Sequence, residues 1–181
     1  FAASMAGLPP LVGFVGRMSA TKGVVTLLSA MRIVWNRNPT VRLLLAGSGL
    51  PPDARVDDEI RQALAELSEV ERARIICIGR FTEEEKPSIF DALDVFPMTS
   101  VAESFGIAYL EAWMCRKAVI GSQIGSTECV ISDGVDGLLV RPGDPQSLAR
   151  CIDDLLADPE ARRRMGLAGN AKSLASFTWE K

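Results

Sequence analysis

The chain has 181 residues, of which 48% are apolar, and a formal net charge of -3, a composition typical of one globular domain with a substantial core. The slight excess of acidic residues gives no basic face for nonspecific nucleic-acid binding, so we expect no nucleic-acid partner. The sequence contains no histidine, which excludes Ser-His triads, the usual zinc sites and the commonest general base.

Short apolar runs and stretches with helical spacing alternate along the chain. The apolar runs predict six strands, at residues 11–16, 41–46, 74–78, 94–98, 118–121 and 137–140. Helical spacing predicts helices at 22–36, 57–72, 82–92, from Phe105 or Gly106 onward, and at 144–157 and 158–177. Because strands that alternate with helices require a parallel sheet, we predict an α/β fold. It is a single doubly wound, Rossmann-like domain with a six-stranded parallel sheet and helices on both faces.

The four cysteines and the hydropathy pattern bear on the compartment. Cys77, Cys115, Cys129 and Cys151 form no Cys-x-x-Cys pair, and three lie in apolar strand or helix patterns, so we expect buried, reduced thiols. The sequence has no apolar run of membrane-spanning length and no signal-peptide pattern. We therefore expect no transmembrane segment and a cytoplasmic location, with peripheral association at the inner membrane face left open. Because the chain begins with Phe1, we also expect it to be a piece of a longer protein.

The segment from Glu103 to Glu111 carries the strongest functional signal. It follows the strand at 94–98, so Glu103 lies beyond the carboxyl end of a strand, where parallel sheets bind ligands. A helix that starts near Gly106 would present free N–H groups to a phosphate. Glu111 lies about 7 Å further along the helix, so the two carboxylates could hold hydroxyl groups on either side of the phosphate. This order suggests a nucleotide sugar, although Glu103 as a helix cap and Glu111 as a solvated residue remain the alternative.

The loop at residues 16–23 places two cations near the same edge of the predicted sheet. Arg17 and Lys22 follow the first strand and precede the first helix, so together they could hold a diphosphate and stabilise it as a leaving group. The alternative is a pair of solvated surface residues. Gly13 and Gly16 are spaced wrongly for a dinucleotide fingerprint, and Gly16 and Lys22 do not fit a Walker loop.

Two further loops end at the same predicted edge. Residues 47–49 follow the second strand and form either a plain turn or a wall of the ligand site. Arg80 or Phe81, after the third strand, could cover one face of a nucleobase. Phe81 could equally be a hydrophobic staple before a capping box made by Thr82 and Glu85. Lys86 lies near the positive end of a helix dipole, which a neighbouring anion would explain, though it could also be ordinary surface.

Together these segments resemble the C-terminal, donor-binding domain of the group 1, or family 4, retaining glycosyltransferases of GT-B architecture. The resemblance covers essentially the whole chain. Its motifs are Gly16-Arg17 with Lys22-Gly23, the segments 46–49 and 133–144, and Glu103 and Glu111 with seven residues between them. The run at 103–107 is especially similar to bacterial mannosyltransferases of phosphatidylinositol mannoside synthesis. Apart from this resemblance, segment 133–144 indicates a turn, a short strand and a second turn, with Asp144 as the N-cap of the next helix.

The resemblance implies a role for each matching residue. Arg17, Lys22 and Glu103 would be the catalytic residues, the two cations contacting the donor diphosphate and Glu103 the transferred sugar. The amides of Gly106 and Ile107 would cradle phosphate, and Glu111 would bind the ribose. The full set of expected donor-binding positions is Gly16, Arg80, Phe81, Lys86, Ser104, Phe105, Gly106, Ile107 and Glu111.

The family also implies the reaction. A sugar would pass from a UDP-, GDP- or ADP-linked donor to an acceptor hydroxyl with retention of configuration. We expect no cofactor, and no metal because the sequence has no Asp-x-Asp motif. Residues 1–181 would form the C-terminal domain, and the acceptor, whether glycan, lipid or small molecule, would bind an N-terminal domain that this chain lacks. The chain alone would then bind donor weakly and not turn it over.

Two departures from the family pattern and three rival functions accompany this interpretation. Arg116 and Ala118 replace the usual Gly and Pro, and the loop at 123–128 is one residue short. Arg116 at a helix end would need a left-handed conformation or a different cap.

The rivals are a non-catalytic nucleotide-binding or interaction module and a GT-B nucleotide-sugar 2-epimerase. An NAD-dependent oxidoreductase is disfavoured because the dinucleotide fingerprint is missing.

Overall fold

Six short apolar segments pair side by side in one parallel sheet. The computed structural model describes residues 8–49 and 57–177, and within them the strand order is β3-β2-β1-β4-β5-β6. The strands are β1 Leu11–Val15, β2 Arg42–Ala46, β3 Ile75–Ile78, β4 Val95–Met98, β5 Ala118–Ser122 and β6 Gly137–Val140. Every residue of β1, β4 and β5 is buried, as expected for strands covered on both faces. The predicted α/β class and six-stranded parallel sheet are confirmed.

The helices cover the sheet in two groups. They are α1 Val24–Arg37, α2 Asp58–Ala65, α3 Glu69–Arg72, α4 Lys86–Asp91, α5 Ile107–Met114, α6 Gly125–Glu128, α7 Pro145–Ala157 and α8 Pro159–Ser176. A short 3-10 helix, Ala20–Lys22, precedes α1. Helix α1 packs against α7 and α2, whereas α5 packs against α8 and α4. The core between these layers is aliphatic and aromatic, with Trp113, Tyr109, Phe14, Phe90 and Phe96 among its largest buried side chains.

Three predicted helix boundaries are corrected. The predicted helix at 57–72 is two helices, because Ser68 exchanges hydrogen bonds with Glu71 and starts α3 anew. The helix predicted at 22–36 begins only at Val24, since Gly23 adopts a left-handed conformation with φ of 79°. The helix predicted at 82–92 begins at Lys86. Thr82 and Glu85 do exchange the expected hydrogen bonds, but they close a turn before α4.

Other local expectations can be compared directly with the structure. Arg116 has a left-handed φ of 55° after α5, which is the first of the two alternatives expected at this helix end. Asp144 accepts a hydrogen bond from the N–H of Ser147 and caps α7, and Pro159 occupies the first turn of α8. Helix α6 was not predicted, because four residues give too little periodicity to detect.

The expectation of buried thiols is wrong, since none of the four cysteines is fully buried. Cys77 and Cys129 are exposed, and Cys115 and Cys151 are half-buried. Cys77 lies on β3, an edge strand of the sheet, where one side has no neighbouring strand. All four thiols are free. No helix within the described ranges is both long and apolar enough to cross a membrane.

Candidate functional site

The carboxyl ends of β1, β2, β3 and β4 open into a cleft made of two adjoining cavities. The larger, of about 480 Å³, and the smaller, of about 280 Å³, share Val15, Gly16, Arg17 and Ala108 in their walls. The larger volume lies within the range of small-molecule sites. Every predicted site residue lines one cavity or the other. Lys22, Glu103, Ser104, Phe105, Gly106 and Ile107 line the smaller, and Arg80, Phe81, Lys86 and Glu111 line the larger.

Backbone contacts hold the loop after β1 in this cleft. The N–H of Gly16 donates to the carbonyl of Ala46 at 2.9 Å, and that of Met18 to the carbonyl of Ser48 at 2.8 Å. The loop therefore lies on the turn after β2, and Gly47 and Ser48 form part of the cleft wall. Arg17 is exposed at the junction of the two cavities. Its guanidinium makes no hydrogen bond or ion pair with any described residue, so it can reach a ligand.

The start of α5 forms the floor of the smaller cavity. Gly106 has a φ of 82°, and a Cβ there would lie 2.5 Å from Cδ2 of the Tyr109 ring, so only glycine fits. Tyr109 is buried and donates from its hydroxyl to the Met98 carbonyl at 2.5 Å, which ties α5 to the end of β4. Burial raises the pKa of Tyr109, so the ring stays neutral. No side chain caps α5, which leaves the positive end of its dipole facing the cleft.

Glu103 lies between the start of α5 and the loop after β1. Its Oε2 is 2.6 Å from Nζ of Lys22, and its Oε1 accepts a hydrogen bond from the N–H of Ser104. Burial disfavours the charged carboxylate, but Lys22 and the N–H groups of Ser104 and Phe105 outweigh this and lower the pKa of Glu103. Ser126, on α6, donates from Oγ to the Glu103 carbonyl at 2.5 Å. Glu103 is thus a fixed carboxylate, not a helix cap.

Glu111 faces the larger cavity from the second turn of α5. Its Oε1 is 2.9 Å from Nζ of Lys86, which also pairs with Glu83 at 2.8 Å. Partial burial alone would lower the pKa of Lys86, but the hydrogen bonds and charges of Glu111 and Glu83 reverse this and raise it. The Glu111 side chain is 32% exposed, so it does not point into the core. The anion expected near Lys86 is a pair of carboxylates.

Sequence reasoning missed the residues that support the cleft. Ser126 lies 23 residues after the carbonyl it contacts, on an unpredicted helix, so no local pattern marks it. Gly23 packs directly against the backbone of Thr99, and the N–H of Val101 donates to the carbonyl of Thr21 at 2.9 Å. These contacts bring the loops after β1 and β4 together. Gly23 belongs to the Lys22-Gly23 motif, but its contact with Thr99 depends on the tertiary fold and has no signal in the sequence.

Comparisons with known proteins show the family of the chain. The family model "Glycosyl transferases group 1" matches residues 5–172. The chain is 35% identical over 176 residues to alpha-maltose-1-phosphate synthase of Mycobacterium tuberculosis, covering 94% of this chain and 44% of that protein. It is 34% identical over 181 residues to D-inositol 3-phosphate glycosyltransferase of Segniliparus rotundus, covering 96% and 38%. The chain thus spans less than half the length of these curated relatives.

Solved structures show the same fold. The C-terminal domain of a group 1 glycosyl transferase, LpcC, from Francisella tularensis superposes with a TM-score of 0.83 at 26% identity, covering 98% of this chain and 92% of that domain. Sucrose-phosphate synthase of Thermosynechococcus elongatus gives 0.85 at 32%, covering 99% and 45%. Anabaena HepE in complex with UDP-glucose gives 0.82 at 27%, covering 97% and 46%. The chain belongs to the group 1 family of glycosyl transferases, and its fold is that of their C-terminal domain.

Proposed function

We propose that this chain is the donor-binding domain of an enzyme that transfers a sugar from a nucleotide-diphosphate sugar to an acceptor hydroxyl. One observation carries the proposal: Arg17, Lys22 and the start of α5 face one cleft that also holds the carboxylates of Glu103 and Glu111. Positive groups at the centre of a cleft match a diphosphate, and carboxylates to either side match the hydroxyls of two sugars. The complex of HepE with UDP-glucose supports a donor of this class.

The cations would stabilise the leaving group. When the bond between the sugar C1 and the phosphate oxygen breaks, negative charge grows on the diphosphate and positive charge on the sugar ring. Arg17 offers a planar fork of donors that can bind two phosphate oxygens together. Lys22 adds a second positive charge, and the N–H groups of Gly106 and Ile107 add the helix dipole. Lys22 and the start of α5 are held by the fold before the reaction, so they need little rearrangement in the transition state.

The carboxylates and the aromatic wall would set the orientation of the donor. Glu111, on the side of the larger cavity, accepts hydrogen bonds from ribose hydroxyls, and Glu103, on the other side of Gly106, accepts them from the transferred sugar. Arg80 and Phe81 in the larger cavity cover one face of the base. In this proposal the nucleoside binds the larger cavity and the transferred sugar binds the smaller one.

Three finer points are part of the proposal. The reaction retains anomeric configuration, as the family resemblance implies. Arg17 and Lys22 supply the positive charge that a metal ion supplies in other transferases, so the reaction needs no metal. Residues 1–181 serve as the C-terminal domain, and the acceptor binds the remainder of a protein that is more than twice as long in its relatives. The chain alone then binds donor without turnover.

Isothermal titration of the chain with UDP-, GDP- and ADP-linked glucose and mannose tests donor binding. We expect one nucleotide class to bind, and Arg17→Ala to weaken that binding by about tenfold or more, since a charge-assisted phosphate contact is lost. Arg164→Ala is the matched control, because Arg164 is exposed on α8 and lines neither cavity. The proposal fails if no donor binds, or if both variants bind as tightly as the unchanged chain.

Transfer itself requires the full-length protein. There, Arg17→Ala should reduce the rate of glycosyl transfer strongly while the melting temperature stays the same, because Arg17 supports no packing. Release of free nucleotide together with a glycosylated product would identify a transferase. A protein that binds nucleotide and forms no glycosylated product would instead be a non-catalytic module, and one that converts the sugar nucleotide to its 2-epimer would be an epimerase.

A further inference from the structure

The carboxylate of Glu103 already occupies the position beside Lys22. The two charged atoms are 2.6 Å apart, and the Glu103 side chain is only 10% exposed. The same carboxylate accepts the N–H of Ser104, one of the backbone donors just before α5. A diphosphate that contacts Lys22 must therefore either share this cation with the Glu103 carboxylate or displace the Glu103 carboxylate from it.

The loop leaves Glu103 little freedom to move away. Its carbonyl accepts the hydroxyl of Ser126 at 2.5 Å, and the N–H of Val101, two residues earlier, donates to the carbonyl of Thr21 at 2.9 Å. The backbone of this loop is thus held at two positions, Val101 and Glu103. A phosphate bound at Lys22 would lie next to a negative charge that the fold keeps in place, and like charges at short range in a partly buried site repel each other.

The repulsion acts differently on the two forms of the nucleotide. A nucleotide sugar brings hydroxyl groups to Glu103, so the carboxylate exchanges one partner for another. A free nucleoside diphosphate brings no such donors, and its terminal phosphate carries more negative charge than the esterified one. Oε2 of Glu103 then loses Lys22 and gains no new partner, which opposes binding because a partly buried charge that loses its counter-ion is costly.

We propose that Glu103 makes the cleft discriminate between the sugar-bearing donor and the nucleoside diphosphate left after transfer, disfavouring the latter through its charge. This inference rests on the proposed function. In the proposed function Glu103 contacts the donor sugar. Here it gains a second role, which is to promote release of the nucleoside diphosphate after transfer. The same carboxylate performs both roles because it lies between Lys22 and the sugar side of the cleft.

The test compares two dissociation constants in each protein, for UDP and for UDP-glucose, by isothermal titration. If uridine nucleotides do not bind, the GDP and GDP-mannose pair and then the ADP and ADP-glucose pair replace them. Glu103→Gln keeps the size of the side chain and removes its charge. We expect it to bind the free diphosphate about fivefold more tightly and the sugar nucleotide several-fold more weakly, which changes their ratio by about tenfold or more.

Two further variants make the test decisive. Glu103→Ala removes the carboxylate without introducing an amide, and it too should bind the free diphosphate more tightly. Glu128→Gln removes one negative charge at an exposed position outside both cavities, and its ratio should equal that of the unchanged chain. If the unchanged chain binds both ligands and Glu103→Gln leaves their ratio unaltered, the discrimination is refuted and the donor site stands. If the unchanged chain binds no nucleotide at all, both the inference and the proposed function are wrong.

Discussion

Substitution of Gly23 by alanine tests whether the close approach of two loops builds the site. Gly23 ends the 3-10 helix before α1 with a φ of 79°. A Cβ at this position would lie 2.6 Å from Oγ1 of Thr99 and closer still to the Thr99 carbonyl oxygen. Thr99 precedes the loop that carries Glu103, and the segment before Gly23 carries Lys22. An added methyl group must therefore push these loops apart.

The expected loss has two separable parts. The left-handed conformation costs an alanine about 1 kcal/mol, and overpacking against backbone adds about 1–3 kcal/mol. The sum of about 2–4 kcal/mol corresponds to a fall of roughly 5–15 °C in melting temperature for a domain of this size. Gly134→Ala isolates the first part, because Gly134 has a φ of 74° and open space around it. Its expected fall is about 2–4 °C.

Thermal and urea unfolding of the two variants, followed by circular dichroism, measure these losses. Gly79→Ala adds a baseline, since Gly79 has neither a positive φ nor a neighbour within 4 Å of the added carbon. Donor affinity of Gly23→Ala should also fall, as Lys22 and Glu103 separate. Equal losses for Gly23→Ala and Gly134→Ala would refute the argument that the contact with Thr99 constrains the site.

Two other predictions concern charged contacts. Glu103 has a lowered pKa, so it contributes stability above the ordinary value of 4.5 that is lost as pH falls through the folded-state value. Urea midpoints from about pH 6 to about pH 3 should therefore fall less in Glu103→Gln than in the unchanged chain; identical slopes would contradict this. Lys172→Met removes the cation that pairs with Asp136, whose side chain is 4% exposed. It should lower the free energy of unfolding by about 2–4 kcal/mol. Arg163→Met, at an exposed pair, should cost under about 0.5 kcal/mol in the same urea titration, and equal costs would count against a buried ion pair.

The centre of the sheet could be predicted from sequence because β1, β4 and β5 are buried on both faces. Such strands appear as unbroken apolar runs between breakers, and segments such as 43–46 and 95–98 stand out for this reason. The predicted edge for ligand binding followed from the parallel order alone. That rule brought Arg17 and Gly106 to one cleft before any distance was known, and the structure places both in the smaller cavity.

Helix boundaries and partners were harder to predict, because they depend on tertiary contacts. The predicted helix at 57–72 has amphipathic spacing throughout, and only the hydrogen bonds of Ser68 with Glu71 show where it divides. Pairing of Lys22 with Glu103 joins residues 81 positions apart. Sequence identified both as ligand-binding candidates, but their mutual ion pair follows only from the way the loops after β1 and β4 meet. The packing of Gly169 against Trp113 likewise has no local signal.

The central claim is tested most directly by titrating the ¹⁵N-labelled chain with the sugar nucleotide that binds best. The measured quantity is the chemical shift of each backbone amide. If the start of α5 receives the diphosphate, the N–H signals of Gly106 and Ile107 should shift most, together with those around Arg17 and Lys22. A separate cavity of about 330 Å³ at the opposite edge of the sheet, lined in part by Lys117 and Arg162, provides an internal comparison. Largest shifts around that cavity, with Gly106 unchanged, would contradict the assignment of the donor site.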